Sequence, residues 1–369
     1  MRVHYNYLGD QFASFNEYLP DLQALVASGE FTLGPYVDKF EKKFADYIGV
    51  KHVISTNNGT DALILSLKAV NTKPGDEVIT VANTFIATAG AIVAVGAKPV
   101  FVDCDNRFSI AVNQIENAIT PKTKAIIPVH WAGCPADICG VLSIANKHNI
   151  PVIEDACPAV GAQVNGQFVG SFGKVNAFSM HPLKPLNVMG DGGMIATNDD
   201  EIANWLKLYR NHGLSDRNHV TLWGVNARLQ PFQAVIGTKL IDQMESLIQI
   251  RNQFARQLDK GLADLPQFVS IPERPAEMRE VYQLYLITVK KRNELVVYLN
   301  QVGIEAKIHY PIPLHLQNAA TQFGYKKGDF PIAEQQANDI LTLPNHQYLT
   351  SAHIDYMIDQ IHTFYKRDS

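Results

Sequence analysis

The chain has 369 residues, 46% of them hydrophobic, 18% charged and 9% aromatic, which is enough apolar material for two packed domains and too much for a disordered or fibrous chain. Lys+Arg 32 against Asp+Glu 36 leave a formal net charge of -4, and no long run of like charge occurs, which argues against a nucleic-acid footprint or a polybasic membrane patch. No stretch is long and apolar enough to span a bilayer, and Met1-Arg2-Val3-His4-Tyr5 lacks the apolar core of a secretory signal, so the expected compartment is the cytoplasm.

From about Lys51 to Asn198 short β-branched runs alternate with segments of helical period, the pattern of βαβ units in a sheet covered on both faces. Strands are expected at 53–55, 77–81, 99–103, 125–129, 152–154, 176–179 and 193–197. A buried helix over 61–67 follows the first strand, and Lys73-Pro74-Gly75-Asp76 is the turn that stops it. Ile202, Trp205, Leu206 and Tyr209 recur at helical spacing. From about Leu229 to Leu262 the helical pattern has few breakers and predicts a rigid strut. Pro266, Pro272 and Pro275 then mark a loop, and strands are expected at 285–289 and 306–310 around a helix at 293–300. Helices near 332–340 and 352–364 complete a smaller α+β unit, so the expected division is a large α/β domain over 1–245 and a small C-terminal domain over 246–369. Cys104, Cys134, Cys139 and Cys157 show no C-x-x-C spacing; neither a disulfide framework nor a metal site is expected, and the four are read as packing residues.

Three stretches carry chemistry. In Asn57-Asn58-Gly59-Thr60-Asp61 a strand ends in polar residues and a glycine and a helix begins at once, a geometry that serves either as an ordinary N-cap or as an anion site open to a phosphate. Pro151-Val152-Ile153-Glu154-Asp155 runs an apolar strand into two carboxylates at the sheet edge where open α/β folds bind ligands. There a carboxylate pairs with loop amides or with the protonated ring nitrogen of a cofactor. In Phe178-Ser179-Met180-His181-Pro182-Leu183-Lys184-Pro185 a strand delivers a hydroxyl and, five residues on, a lysine among apolar neighbours. Desolvation lowers an amine's pKa and prepares it to form a Schiff base with an aldehyde. Together the three describe a pyridoxal 5'-phosphate site.

The chain resembles the DegT, DnrJ and StrS sugar aminotransferases over nearly its whole length. The resemblance runs from Phe31-Thr32-Leu33-Gly34-Pro35-Tyr36 and Phe40-Glu41-Lys42-Lys43-Phe44-Ala45 through Gly59-Thr60-Asp61-Ala62-Leu63 and Asn83-Thr84-Phe85-Ile86-Ala87-Thr88. It continues in Glu154-Asp155-Ala156, the stretch 184–193, Arg210-Asn211-His212-Gly213, Gly224-Val225-Asn226-Ala227-Arg228, the stretch 309–317 and Leu343-Pro344. It implies an aspartate-aminotransferase-like fold of type I, with a mainly parallel central sheet. It also implies that Lys184 binds the cofactor and moves the proton, that Asp155 keeps the pyridine nitrogen protonated, that Gly59, Thr60 and Ser179 hold the phosphate, and that Phe85 stacks on the ring. Asn226 looks like the residue that reaches the phosphate from the second subunit, which implies a homodimer with shared active sites.

The sequence departs from the family pattern at Pro158, where a glutamine commonly bonds the cofactor's phenolic oxygen; proline brings no donor. Met180 stands where an aromatic is frequent, and Gln230 where an acidic residue often follows. The resemblance further implies that glutamate donates the amine and a keto or aldehydo sugar takes it, either a nucleotide-linked keto-deoxyhexose or a sugar acid such as 8-oxo-3-deoxy-octulosonate, in lipopolysaccharide or other surface-polysaccharide synthesis. Candidate substrate residues are His130, Trp131, His181, Lys307, His309, Tyr310 and His315, with Arg228 for the donor carboxylate. A sugar dehydratase of the same family is expected to carry histidine in place of Lys184. A regulatory protein without turnover is the other alternative on this fold. No G-x-G-x-x-G follows the first strand and no G-x-x-x-x-G-K-[ST] is present, so dinucleotide and P-loop chemistry have no motif.

Overall fold

The computed structural model describes residues 1–366; the last three positions of the expected C-terminal domain lie outside the described residues. Seven strands build the central sheet: β1 (His52–Thr56), β2 (Glu77–Val81), β3 (Lys98–Val102), β4 (Thr123–Ile127), β5 (Ile153–Asp155), β6 (Val175–Ser179) and β7 (Gly193–Thr197). Hydrogen-bonded pairing gives the runs β1-β7-β6-β5 and β3-β2-β4, and the parallel bridges Ile126 to Val152 and Val129 to Asp155 join them through β4 and β5. β5 and β6, β2 and β3, and β2 and β4 pair in parallel, whereas β7 runs antiparallel to both β1 and β6. The sheet is thus mainly parallel with one reversed strand.

Strands in such a sheet are buried on both faces, and their side chains alternate between two cores. Val53, Ile79, Ile126, Val152 and Phe178 pack into one core; their chain neighbours Ile54, Val78, Ile127, Ile153 and Ala177 pack into the other. On the second face lies the helix Gly59–Ala69, which Asn58 caps by accepting the Asp61 amide at 2.7 Å. The helix Pro35–Ile48 packs on the first face. It is tied to β1 by a buried ion pair of Glu41 with Arg210, whose guanidinium also donates to the Ser55 carbonyl at 2.8 Å.

The expected strut is two helices, Pro231–Leu240 and Met244–Leu262, joined by a 3-10 turn over Ile241–Gln243. A third core collects the second of these helices, the strands Tyr285–Val289 and Ile340–Leu343 and the helix Ser351–Lys366. Val3, near the start of the chain, belongs to this core and donates its amide to the Gly303 carbonyl at 2.8 Å. One expectation is corrected here. Residues 306–310 form no strand; only Lys307 bridges Thr342, because Pro311 and Pro313 cannot continue a ladder. The helix expected near 332–340 is found over Pro331–Asp339, and it is followed by an antiparallel strand, Ile340–Leu343, beside Tyr285–Val289. Asp103, just past β3, accepts the Ile332 and Ala333 amides at 2.9 and 2.8 Å and so fastens the start of that helix to the edge of the central sheet.

Candidate active site

A cleft of about 520 Å3 opens at the carboxyl edge of the sheet, where parallel α/β folds expose strand ends and loops to ligand. Gly59 and Thr60 enter it from the start of the helix that follows β1, Phe85 and Thr88 from the loop and helix after β2, and Trp131 from the turn after β4. Asp155 ends β5, Ser179 ends β6, and Lys184 comes from the loop before β7. Another surface hollow, beside Asn146 and Lys174, has its lysine paired with Asp199 at 2.6 Å and gathers no comparable set of groups.

Glycine at position 59 is required by contact. A Cβ built there would sit 2.6 Å from Ser179 Cβ and 3.1 Å from its Oγ, so a side chain would collide with the end of β6. Gly59 and Thr60 are the first two residues of that helix, and their amides belong to the unsatisfied first turn, where an anion is favoured. The Ser179 hydroxyl stands beside them.

Asp155 is buried and held at both oxygens. Its Oδ2 accepts the Thr88 hydroxyl at 2.8 Å and its Oδ1 the Cys157 amide at 3.2 Å. Its chain neighbour Glu154 turns the opposite way, as strand alternation requires. There it accepts the amides of Gly170, Phe172 and Gly173 and meets His130 Nε2 at 2.8 Å. Because His130 Nδ1 accepts the Ala136 amide at 3.0 Å, Nε2 carries the proton and donates it to Glu154.

Lys184 is half-buried in the cleft wall. Its backbone amide donates a hydrogen bond to the His181 carbonyl at 2.8 Å, while its carbonyl accepts the Tyr7 hydroxyl at 3.4 Å. Burial lowers the pKa of its amine, and the nearby Cys157 and Asp155 only partly oppose that. Burial, with Lys184 second, also lowers His181. His309 is pushed down to about 4 by burial, Lys184 and Lys307, and its Nδ1 lies 2.9 Å from the Thr342 hydroxyl. Tyr310, pushed up to about 12 by burial, stands between Phe85 and Trp131 with ring centroids 6.0 and 5.5 Å away.

Of the residues expected at the site, Gly59, Thr60, Phe85, Trp131, Asp155, Ser179, His181, Lys184, His309 and Tyr310 line the cleft together. Others are placed elsewhere. His130 is sequestered against Glu154, and His315 is buried against Glu334 at 3.0 Å. Lys307 is engaged through its backbone with Thr342. Asn226 and Arg228 lie outside the cleft, with Arg228 donating to Asn226 Oδ1 and Asn211 Oδ1, each at 2.9 Å. The reading of all four cysteines as packing residues is corrected: Cys157 lines the cleft and Cys139 is exposed, although Cys104 and Cys134 are buried. Sequence reasoning missed Thr88, Tyr5 and Gln283, which also line the cleft. Thr88 did leave a signal, being the lone hydroxyl in the small, apolar helix Ile86–Ala94. Among the described residues no cluster of three or more His, Cys, Asp or Glu could hold a metal ion.

Residues 14–362 match the DegT/DnrJ/EryC1/StrS aminotransferase family. The chain is 40% identical to a "pleiotropic regulatory protein" of Geobacillus stearothermophilus, covering 97% of both chains. It is also 40% identical to the UDP-N-acetyl-3-dehydro-alpha-D-glucosamine 3-aminotransferase of Acidithiobacillus ferrooxidans, covering 93% of this chain and 91% of that one. Among solved structures it superposes on NtdA from Bacillus subtilis, which holds bound cofactor PMP, with a TM-score of 0.92 and 31% identity over 98% of this chain and 85% of the other. The fold is therefore that of the type I pyridoxal-phosphate transferases, and the residues present suit that cofactor. Free amides at a helix start beside the Ser179 hydroxyl suit a phosphate, and a carboxylate hydrogen-bonded at both oxygens and an amine of lowered pKa line the same cleft. The chain belongs to the DegT/DnrJ/EryC1/StrS aminotransferase family.

Proposed function

We propose that this pyridoxal 5'-phosphate-dependent sugar aminotransferase moves the amino group of glutamate to a keto or aldehydo sugar in surface-polysaccharide amino-sugar synthesis, lipopolysaccharide included. The acceptor is a nucleotide-linked keto sugar or a sugar acid such as 8-oxo-3-deoxy-octulosonate. The observation that carries the reading is the convergence of Lys184, Asp155, Ser179 and Gly59 on one cleft. The substrate class is supported by the Acidithiobacillus relative, whose name describes amination of a UDP-linked keto sugar. A regulatory role without turnover is the second reading, prompted by the name of the Geobacillus relative; the complete set of reactive groups favours turnover.

When bound, pyridoxal 5'-phosphate supplies an electron sink for the charge left on the reacting carbon. Gly59, Thr60 and Ser179 would bind the phosphate, Phe85 would lie against the ring, and Asp155, fixed by Thr88 and the Cys157 amide, would keep the ring nitrogen protonated. Lys184 Nζ, neutral more readily than an ordinary lysine because it is buried, accepts the proton from the donor's α-carbon. It later delivers a proton to the sugar carbon that receives nitrogen. The walls of Tyr5, His181, His309 and Tyr310 offer rings and neutral donors to sugar hydroxyls. Among the described residues lining the cleft, Lys184 is the one lysine or arginine. Carboxylate recognition by Arg228, and phosphate contact by Asn226, would therefore act on the neighbouring site of a homodimer in the cytoplasm. The same reading divides the chain into domains near residue 245.

The test is isotopic. Protein incubated with 15N-labelled glutamate and a panel of UDP-, dTDP- and GDP-linked keto sugars and oxidised sugar acids should transfer the label to one acceptor class. Label that never leaves glutamate with any of them would contradict the proposal.

A further inference from the structure

We infer that the indole Nε1–H of Trp131 is the hydrogen-bond donor to the phenolic oxygen of bound pyridoxal 5'-phosphate. The inference rests on the placement of Asp155, Gly59 and Ser179 proposed above. Trp131 is 3% exposed and lines the cleft, yet its Nε1 is buried without an acceptor among the described residues. An indole nitrogen can only donate, and a buried donor left unpaired is costly. An acceptor brought by the ligand would remove that cost.

Strand order says which acceptor. Along the carboxyl edge, Ser179 ends β6, Asp155 ends the neighbouring β5, and Trp131 follows β4 on the far side of β5. The bridge from Val129 to Asp155 and the bond from the His130 amide to the Asp155 carbonyl at 3.0 Å fix the turn that carries Trp131 against the end of β5. The cofactor's covalent frame has its ring nitrogen opposite the aldehyde carbon, with the phosphate arm on one flank of that axis and the phenolic oxygen on the other. With the nitrogen toward Asp155 and the phosphate toward Gly59 and Ser179, the phenolic oxygen faces the β4 side, where Trp131 stands. Pro158, which also lines the cleft, has no side-chain donor to offer.

The test uses the full chain with pyridoxal 5'-phosphate and with an analogue lacking the 3-hydroxyl. Wild-type protein should prefer the natural cofactor, and Trp131→Phe should lose that preference by about tenfold or more. In the loaded Trp131→Phe protein the pH at which the visible band titrates should rise, because nothing then competes for the negative charge on the phenolic oxygen. Unchanged preference and unchanged titration would overturn the inference. If Trp131→Phe does not fold, the indole N–H resonance of Trp131 in wild-type protein decides. It should move with pyridoxal 5'-phosphate and stay put with the analogue, and an equal response to both would overturn the inference. Failure of the underlying site assignment is distinguishable, since wild-type protein would then show no visible band at all, and the inference would fall with it.

Discussion

Gly59 and Ser179, 120 positions apart in the chain, approach so closely that a single methyl on Gly59 would lie 2.6 Å from Ser179 Cβ. The contact joins the start of a helix to the end of a central strand and sets the Ser179 hydroxyl beside the free amides of the helix's first turn. Gly59→Ala should therefore weaken pyridoxal 5'-phosphate binding by at least about tenfold and cost about 1–3 kcal/mol of stability from overpacking. Titrating apo protein with cofactor, alongside urea unfolding, checks both. Unaltered affinity would remove the phosphate from this helix start.

Lys184→Ala should abolish transamination, a loss of at least about a thousandfold. The buried amine contributes little to stability because burial disfavours its charge, so unfolding should change by less than about 1 kcal/mol. Near-normal turnover in this variant would refute the role given to Lys184. In wild-type protein the acid limb of kcat/KM should lie below the pH at which an ordinary lysine loses its proton.

Asp155 and Thr88 should separate a group that touches the cofactor from one that positions it. Asp155→Ala removes the carboxylate proposed to hold the ring nitrogen protonated and should slow proton removal by about two to three orders of magnitude. Thr88→Val removes one hydrogen bond of 2.8 Å and should cost about tenfold, while Thr88→Ser should restore most of it. Equal losses from Thr88→Val and Asp155→Ala would contradict this division.

Acid should loosen the fold between about pH 6.5 and 4. His309 is pushed down to about 4 by burial first, then by Lys184 and Lys307. His346 is pushed down to about 4 mainly by burial. In that window the unfolded chain binds protons that the folded chain refuses, so stability is full above the unfolded pKa and falls as pH drops toward the folded one. Urea midpoints at pH 7 and pH 4.5 should show the loss, and His309→Gln should reduce it. A midpoint that rises on acidification would contradict the burial of both rings.

Glu41 and Arg210 form a buried pair that also engages Ser55. Removing one partner leaves the other charged and unpaired, so Glu41→Ala should cost about 3–5 kcal/mol, measured by urea unfolding. The pair holds the outer helix against β1, whose end leads directly into Asn58 and Gly59.

Much of this was legible in the sequence. The strands of the central sheet announced themselves because each is a short apolar run bounded by turn residues, and burial on both faces keeps such runs uninterrupted. The reversed direction of β7 was not legible, since apolar patterning is the same whichever way a strand runs. Nor was the break over Ile241–Gln243, where no glycine or proline marks the change from one helix to the next. At 306–310 alternation looked like a strand, but a ladder needs a partner along its length, and only Lys307 finds one. Lys184, Asp155 and Gly59 could be read because their local surroundings are unusual. Tyr5 and Gln283 could not, because they reach the cleft from distant segments. His130 and Glu154 satisfy one another, a relationship between two strand ends that neither local sequence contains.

The central claim is tested most directly by the visible absorption spectrum of the purified protein loaded with pyridoxal 5'-phosphate, recorded before and after glutamate, and again after washing and adding each candidate keto sugar. The account predicts that the band of the lysine-bound cofactor disappears with glutamate and returns with one class of sugar. A band that glutamate leaves unchanged, with no sugar aminated, would contradict it.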